Sequence, residues 1–138
     1  GSNKIIGDSF GPMVGSRLKK MRFNNNIKFI GDMKEPITGK NVKDIIENID
    51  KNSYLIAIDS ALSNIQKNEI FITNGQLELG RGVGKNICRV GDLSIKANVA
   101  EYQSKSIENF KLLEKVKIYN INRLSEVVSN GIYEVFKN

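Results

Sequence analysis

The chain has 138 residues, a formal net charge of +6, 40% apolar and 26% charged side chains, one cysteine and no histidine. That length suits one domain, which removes roughly 68–70% of its unfolded surface from water on folding. The absence of histidine excludes Ser-His-Asp and Cys-His catalysis, imidazole bases and histidine metal ligands, and leaves carboxylates as the first candidates for chemistry. The lone Cys88 excludes an intrachain disulfide and fits a reducing cytosol. Lysines and arginines are scattered (Lys19-Lys20, Lys34, Lys40, Lys67, Lys85, Arg89, Lys115) without aromatic interleaving. Such scatter describes a solvated surface rather than a nucleic-acid face. No apolar run approaches the ~18 residues of a membrane span and no signal peptide is evident, so a cytoplasmic protein is expected.

Residues 1–7 read as a loop. Asp8 or Ser9 is placed to cap a helix whose first turn holds Pro12 and whose apolar positions are Phe10, Val14 and Leu18. It ends near Met21. Ile27–Ile30 reads as a short strand, and the spacing of Val42, Ile45, Ile46 and Ile49 predicts a helix. Tyr54–Ile58 is continuously apolar, which predicts a central strand covered on both faces, with Asp59 at its carboxyl end. Glu69–Thr73 is a further strand, and a glycine-bearing stretch runs from Gly75 to Asp92. Leu93–Val99 then reads as a strand, Ile107–Leu113 as a short helix and Val116–Tyr119 as a strand. Leu124, Val127, Val128, Ile132, Val135 and Phe136 share one face of a final helix. This alternation predicts a single α/β domain over residues 1–138, a sheet with covering helices. A glycine-bearing loop leading into a helix normally follows a strand, and none stands ahead of Gly1. Either a first strand is missing or Gly1-Ser2 is a cloning remnant.

Two segments carry the candidate chemistry, Gly7-Asp8-Ser9-Phe10-Gly11-Pro12 and Ile56-Ala57-Ile58-Asp59-Ser60. Asp8 has a plain reading as a helix cap and Asp59 as a polar strand end. Brought into one cleft, the two aspartates would share a proton. The ionised one would take a proton from water while the protonated one polarises a carbonyl. The segment Gly80-Arg81-Gly82-Val83-Gly84-Lys85 is not a P-loop, because Leu79 and Asn86 stand where that motif needs glycine and Ser or Thr. It is not a dinucleotide fingerprint either, since Lys85 stands at the third glycine. It is an N–H-rich turn suited to an anion or oxyanion, or a tight connection only. Cys88 has no activating base and reads as packing.

Taken together, Gly1-Ser2-Asn3, Gly7 to Pro12, Ile56 to Asp59, Gly80 to Lys85 and Val90-Gly91-Asp92 resemble the YyaC family of sporulation proteins, which is related to bacterial germination protease. The resemblance covers residues 1 to about 99 in order. It implies a three-layer α/β/α fold with a central mixed, mainly parallel sheet, of the phosphorylase/hydrolase-like kind shared with hydrogenase maturation peptidases. It also implies catalytic aspartates at Asp8 and Asp59, substrate binding at Gly80, Gly82, Gly84 and Lys85, and a spore or forespore compartment. In hydrogenase peptidases the matching acids, with a histidine, contact nickel; a chain without histidine is expected to carry no metal and no other cofactor. The expected function is an aspartate-dependent peptidase, a hydrolase acting in sporulation or germination, with small acid-soluble spore proteins as candidate substrates. The rival expectation is a non-catalytic protein using the same fold to bind a peptide or partner.

Overall fold

The computed structural model describes residues 1–24, 26–79, 88–102 and 106–138. A 3-10 turn at Ile6–Asp8 leads into α1, Phe10–Leu18. Phe10, Val14 and Leu18 recur at helical spacing and are all buried, as their periodicity requires. After α2, Val42–Glu47, come β1, Ile56–Ser63, and β2, Glu69–Asn74. A short antiparallel pair follows, β3, Leu77–Leu79, with β4, Cys88–Val90. The chain closes with β5, Leu93–Glu101, α3, Ser106–Lys115, and α4, Ile118–Phe136.

The main sheet has the order β1-β5-β2, with β1 parallel and β2 antiparallel to β5. The protein is therefore α/β with a mixed sheet, and in this sheet one ladder of each kind is described rather than a parallel majority. Strand alternation gives the sheet two unlike faces. Ile56, Ile58, Ile95, Ala97, Val99 and Ile70 pack with Phe10 and Val14 of α1 and with Ile121, Leu124 and Val128 of α4 in one core. The other face carries Ala57, Asp59, Ser94, Lys96 and Asn98, paired in register as Ala57 with Ser94 and Asp59 with Lys96. Arg17 ties α1 to α4, donating from Nε to Ser125 Oγ at 3.2 Å and from Nη2 to Asn122 Oδ1 at 2.7 Å.

Four expectations are corrected. The apolar run at Tyr54–Ile58 is not the central strand. β5 holds the centre, because its Ile95, Ala97 and Val99 are buried under the helices while Ser94, Asn98 and Ala100 are buried on the opposite side. The strand also starts at Ile56 and continues to Ser63, so Asp59 lies within β1 and not at its end. Ile27–Ile30 forms no ladder, since no described strand lies beside it to accept its hydrogen bonds. Finally, Val116–Tyr119 is not a strand: Lys117 is extended only as the cap of α4, and Ile118 onward winds into the helix that buries Ile121, Leu124 and Val128. Of the residues grouped on one face of the last helix, Val127 and Val135 are 56% and 73% exposed.

Glycine at position 11 is a packing requirement. A Cβ there would stand 2.8 Å from the carbonyl oxygen of Ile58, and at Gly15 it would stand 2.0 Å from that of Gly31. Both neighbours are backbone and cannot swing aside. Gly11→Ala is therefore expected to lower stability by about 1–3 kcal/mol, the ordinary cost of overpacking. Gly39→Ala, where nothing lies within 4 Å of the added carbon, serves as the control in the same thermal melts.

Candidate active site

The close seat of α1 on β1 brings the segment ahead of that helix to Asp59. The chain folds back so that the backbone N–H of Ser2 donates to Asp8 Oδ2 at 2.7 Å. The α-amino group of Gly1 donates to the Ile37 carbonyl at 2.9 Å and stands 3.7 Å from Asp59 Oδ1. A Cβ on Gly1 would meet the Asp8 carbonyl oxygen at 2.0 Å and Asp59 Oδ1 at 3.3 Å, so Gly1 fits between the two acidic residues with no room to spare. The plain reading of Asp59 as a polar strand end does not hold. Asp8 serves the Gly1–Gly7 loop, while the residue at the head of α1 is Ser9, whose hydroxyl donates back to the Ile6 carbonyl without capping the helix. Asp59 sits within its strand.

Asp59 is held in an unusual state. Its side chain keeps 18% of its surface exposed, yet Oδ1 is closed off from water and accepts no hydrogen bond. The 3.7 Å to the Gly1 nitrogen is too long for one. Burial pushes the carboxyl up from 3.8 to about 6. The Gly1 ammonium opposes that rise, the neighbouring Asp8 carboxylate adds to it, and the Ser60 N–H opposes it. A proton is thus held more readily on Asp59 than on an ordinary aspartate.

Lys96 was not among the expected site residues. It lies directly across from Asp59 in the parallel register, half-buried on the same face of the sheet. The signal was the polar alternation Ser94-Lys96-Asn98 inside an otherwise apolar segment, legible only once β5 is known to be central. The backbone of Gly1 and Ser2 was also missed, because no spacing rule shows a loop folding back on itself. The expected substrate-binding residues Gly80, Gly82, Gly84 and Lys85 lie outside the described residues. Cys88 is half-buried at the start of β4. Two open surface hollows, of about 470 and 380 Å³, lie elsewhere: one beside Met13, Arg17 and Asn122, the other beside Ile70, Tyr119 and Arg123. Among the described residues no group of three or more Cys, Asp or Glu side chains is arranged to hold a metal ion. No described helix is long and apolar enough to cross a membrane.

The raised pKa has a thermodynamic consequence whose sign is fixed. Between pH 3.8 and about 6 the folded protein holds a proton on Asp59 that the unfolded chain has released. Stability therefore falls as pH rises through that window. Asp59→Asn is expected to flatten this slope and to stabilise the protein at pH 7 by on the order of 2 kcal/mol. Thermal melts of both proteins at pH 4, 5, 6 and 7 check it.

The family described as "Protein of unknown function (DUF1256)" matches residues 1–131. The chain is also 30% identical over 138 residues to "Uncharacterized protein YyaC" of Bacillus subtilis (strain 168). That similarity takes in 96% of this chain and 64% of the relative, so the chain spans just under two thirds of the relative's length. No solved structure matches. With nearly its whole length matched, glycine-aspartate loop and β1 aspartate included, the chain belongs to the DUF1256 family of proteins of unknown function.

Proposed function

We propose that this protein is a carboxylate-dependent peptidase related to germination protease, with Asp8 and Asp59 as its acid–base pair on a three-layer α/β/α fold. One observation carries the reading: a carboxyl with a water-excluded oxygen that accepts no hydrogen bond, and with a pKa of about 6, stands next to a second carboxylate anchored by a backbone N–H. Perturbed acids that press on each other electrostatically are the usual equipment of general acid–base sites. The roles follow from the environments. Asp8, ionised, takes a proton from water as its oxygen attacks the carbonyl carbon of an amide. Asp59, protonated, donates to the carbonyl oxygen. When the tetrahedral intermediate collapses and the C–N bond breaks, Asp8 returns its proton to the leaving nitrogen, and Asp59 takes back the proton of the hydroxyl from which the new C=O forms. The resemblance to the sporulation family adds the setting: a cytoplasmic, spore-associated enzyme acting on a protein or peptide, with small acid-soluble spore proteins as the candidate substrates.

A second reading, a binding protein without catalysis, is favoured by one specific observation. Gly1 stands tight against the Asp8 backbone and Asp59 Oδ1, and neither of the two surface hollows is lined by Asp8 or Asp59.

Incubation of the protein with small acid-soluble spore proteins, followed by mass spectrometry, separates the two. The peptidase reading expects discrete cleavage products, a rate that falls as pH rises through about 6, and losses of about 100-fold or more for Asp8→Asn and for Asp59→Asn. Absence of cleavage between pH 4.5 and 8, with binding unchanged in both variants, selects the binding protein.

A further inference from the structure

β2 is an outer strand of the main sheet, and nothing in its sequence guards the edge. Among the described residues it pairs only with β5. Its six residues contain no proline, lysine or glycine, the usual means of keeping an exposed strand from pairing. The backbone N–H of Gly75 donates to the Asp92 carbonyl at 2.9 Å, so Gly75 faces β5. Alternation turns Thr73 and Phe71 toward β5 as well, which leaves the N–H and C=O groups of Ile70 and Ile72 pointing outward. Their side chains share the face covered by α1 and α4, since Ile70 stands across from Ala97 and Ile72 from Ile95. Ile70 packs against that core, whereas Ile72 is 68% exposed. Beside Ile70 opens the hollow of about 380 Å³, whose apolar wall comes from Tyr119, Leu124 and Val127 of α4. Tyr119 and Val127 are themselves exposed. One short edge thus carries an apolar knob with no seat beside an apolar seat with no knob.

We propose that the free edge of β2 pairs antiparallel with β2 of a second copy of this chain, across a two-fold axis at Phe71. The register sets Ile70 opposite the partner's Ile72, and Ile72 opposite the partner's Ile70. These are the residues whose backbone groups point outward, so each pair exchanges its N–H···O=C bonds in both directions. Residues in register share a face, which puts the partner's Ile72 beside Ile70 at the mouth of the hollow, toward Tyr119 and Val127. The axis repeats that contact on the other copy. Charge agrees with the register, because Glu69, the only charged residue of the strand, stands opposite the partner's Thr73. An axis at Glu69 would set two carboxylates against each other, and a slip of one residue would turn the isoleucines to the wrong face. A foreign strand satisfies the backbone alone. A second copy brings the knob for this seat and the seat for this knob, the self-complementarity that defines a two-fold interface. One strand and one helix flank make a patch smaller than the roughly 800 Å² per partner of a stable complex, so the dimer is of micromolar strength.

Sedimentation velocity over about 1–200 µM protein reads the association, and a reversible monomer–dimer equilibrium is expected within that range. Ile72→Lys changes an exposed side chain and is expected to weaken the dimer about 100-fold or more, with the circular dichroism spectrum unchanged. Tyr54→Lys, at an equally exposed apolar residue leading into the opposite outer strand, leaves the dimer intact. The register is read by cross-linking in a Cys88→Ser background. Phe71→Cys forms a disulfide between copies on mild oxidation, since residues on the axis face each other with Cα atoms about 4.5 Å apart. Asn74→Cys, on the same edge but far from its own copy, does not. The proposal is overturned if the protein sediments as a monomer throughout, which leaves the edge to a different chain. It is also overturned if Ile72→Lys leaves the dimer unchanged, if Tyr54→Lys abolishes it, or if Asn74→Cys cross-links in place of Phe71→Cys.

Discussion

Everything at the candidate site depends on a single steric condition, the passage of α1 across β1 with no side chain between Gly11 and the Ile58 carbonyl. Glycine residues at 7, 11 and 15 fall four apart, so the 3-10 turn and the helix present bare backbone to α3, to β1 and to the Gly31 loop in turn. Helix and strand approach at backbone distance, and the loop before the helix runs beside Asp59. The anchoring of Asp8 by Ser2 and the placement of Gly1 between the acids follow from that approach. The core beneath, Phe10 and Val14 against Ile95 and Ala97, stabilises the arrangement but does not aim it.

Burial of Asp59 works against folding above the pH at which its carboxyl ionises. A carboxyl deprived of water on one oxygen destabilises its charged form. The opposing influences differ in character. The ammonium and the Ser60 N–H favour the charged form of Asp59, whereas the Asp8 carboxylate disfavours it. Asp32 shows the same side chain in a purely structural role. Lys19 and the backbone N–H groups of Glu35 and Lys34 hold that aspartate down to about 2, as expected of a loop-pinning carboxylate. One residue type thus sits at opposite ends of its range in one small domain, set apart by hydrogen bonding on one side and its denial on the other.

Helices were readable because their burial is periodic: Phe10, Val14 and Leu18 declare a stripe, and Leu124 and Val128 another. β2 and β5 were readable from β-branched runs bounded by turns. The misreadings share a cause, the dependence of a strand on neighbours that its own residues do not name. Ile27–Ile30 has strand-forming residues and no ladder among the described residues, Val116–Tyr119 has them and joins a helix, and Tyr54–Ile58 reads as central while leading into an outer strand of the described sheet. The β3 and β4 pair, three residues each, is too short to carry a period at all. At the site, both aspartates were legible as acids following apolar or glycine-bearing segments. The contribution of Gly1 and Ser2 was not, because it arises from a long-range fold of the backbone, and Lys96 became visible only through register.

The order β1-β5-β2 also bears on how the molecule is made. Both outer strands pair with β5 and not with each other, and β5 is a late segment of the chain. During synthesis, β1 and β2 leave the ribosome as unpaired apolar segments and wait for residues 93–101 before either can close a ladder. The core waits longer, since Ile121, Leu124 and Val128 of the last helix seal it. The sheet is thus assembled from the middle outward after most of the chain exists, and until then the nascent polypeptide exposes the strand edges on which association with other chains begins.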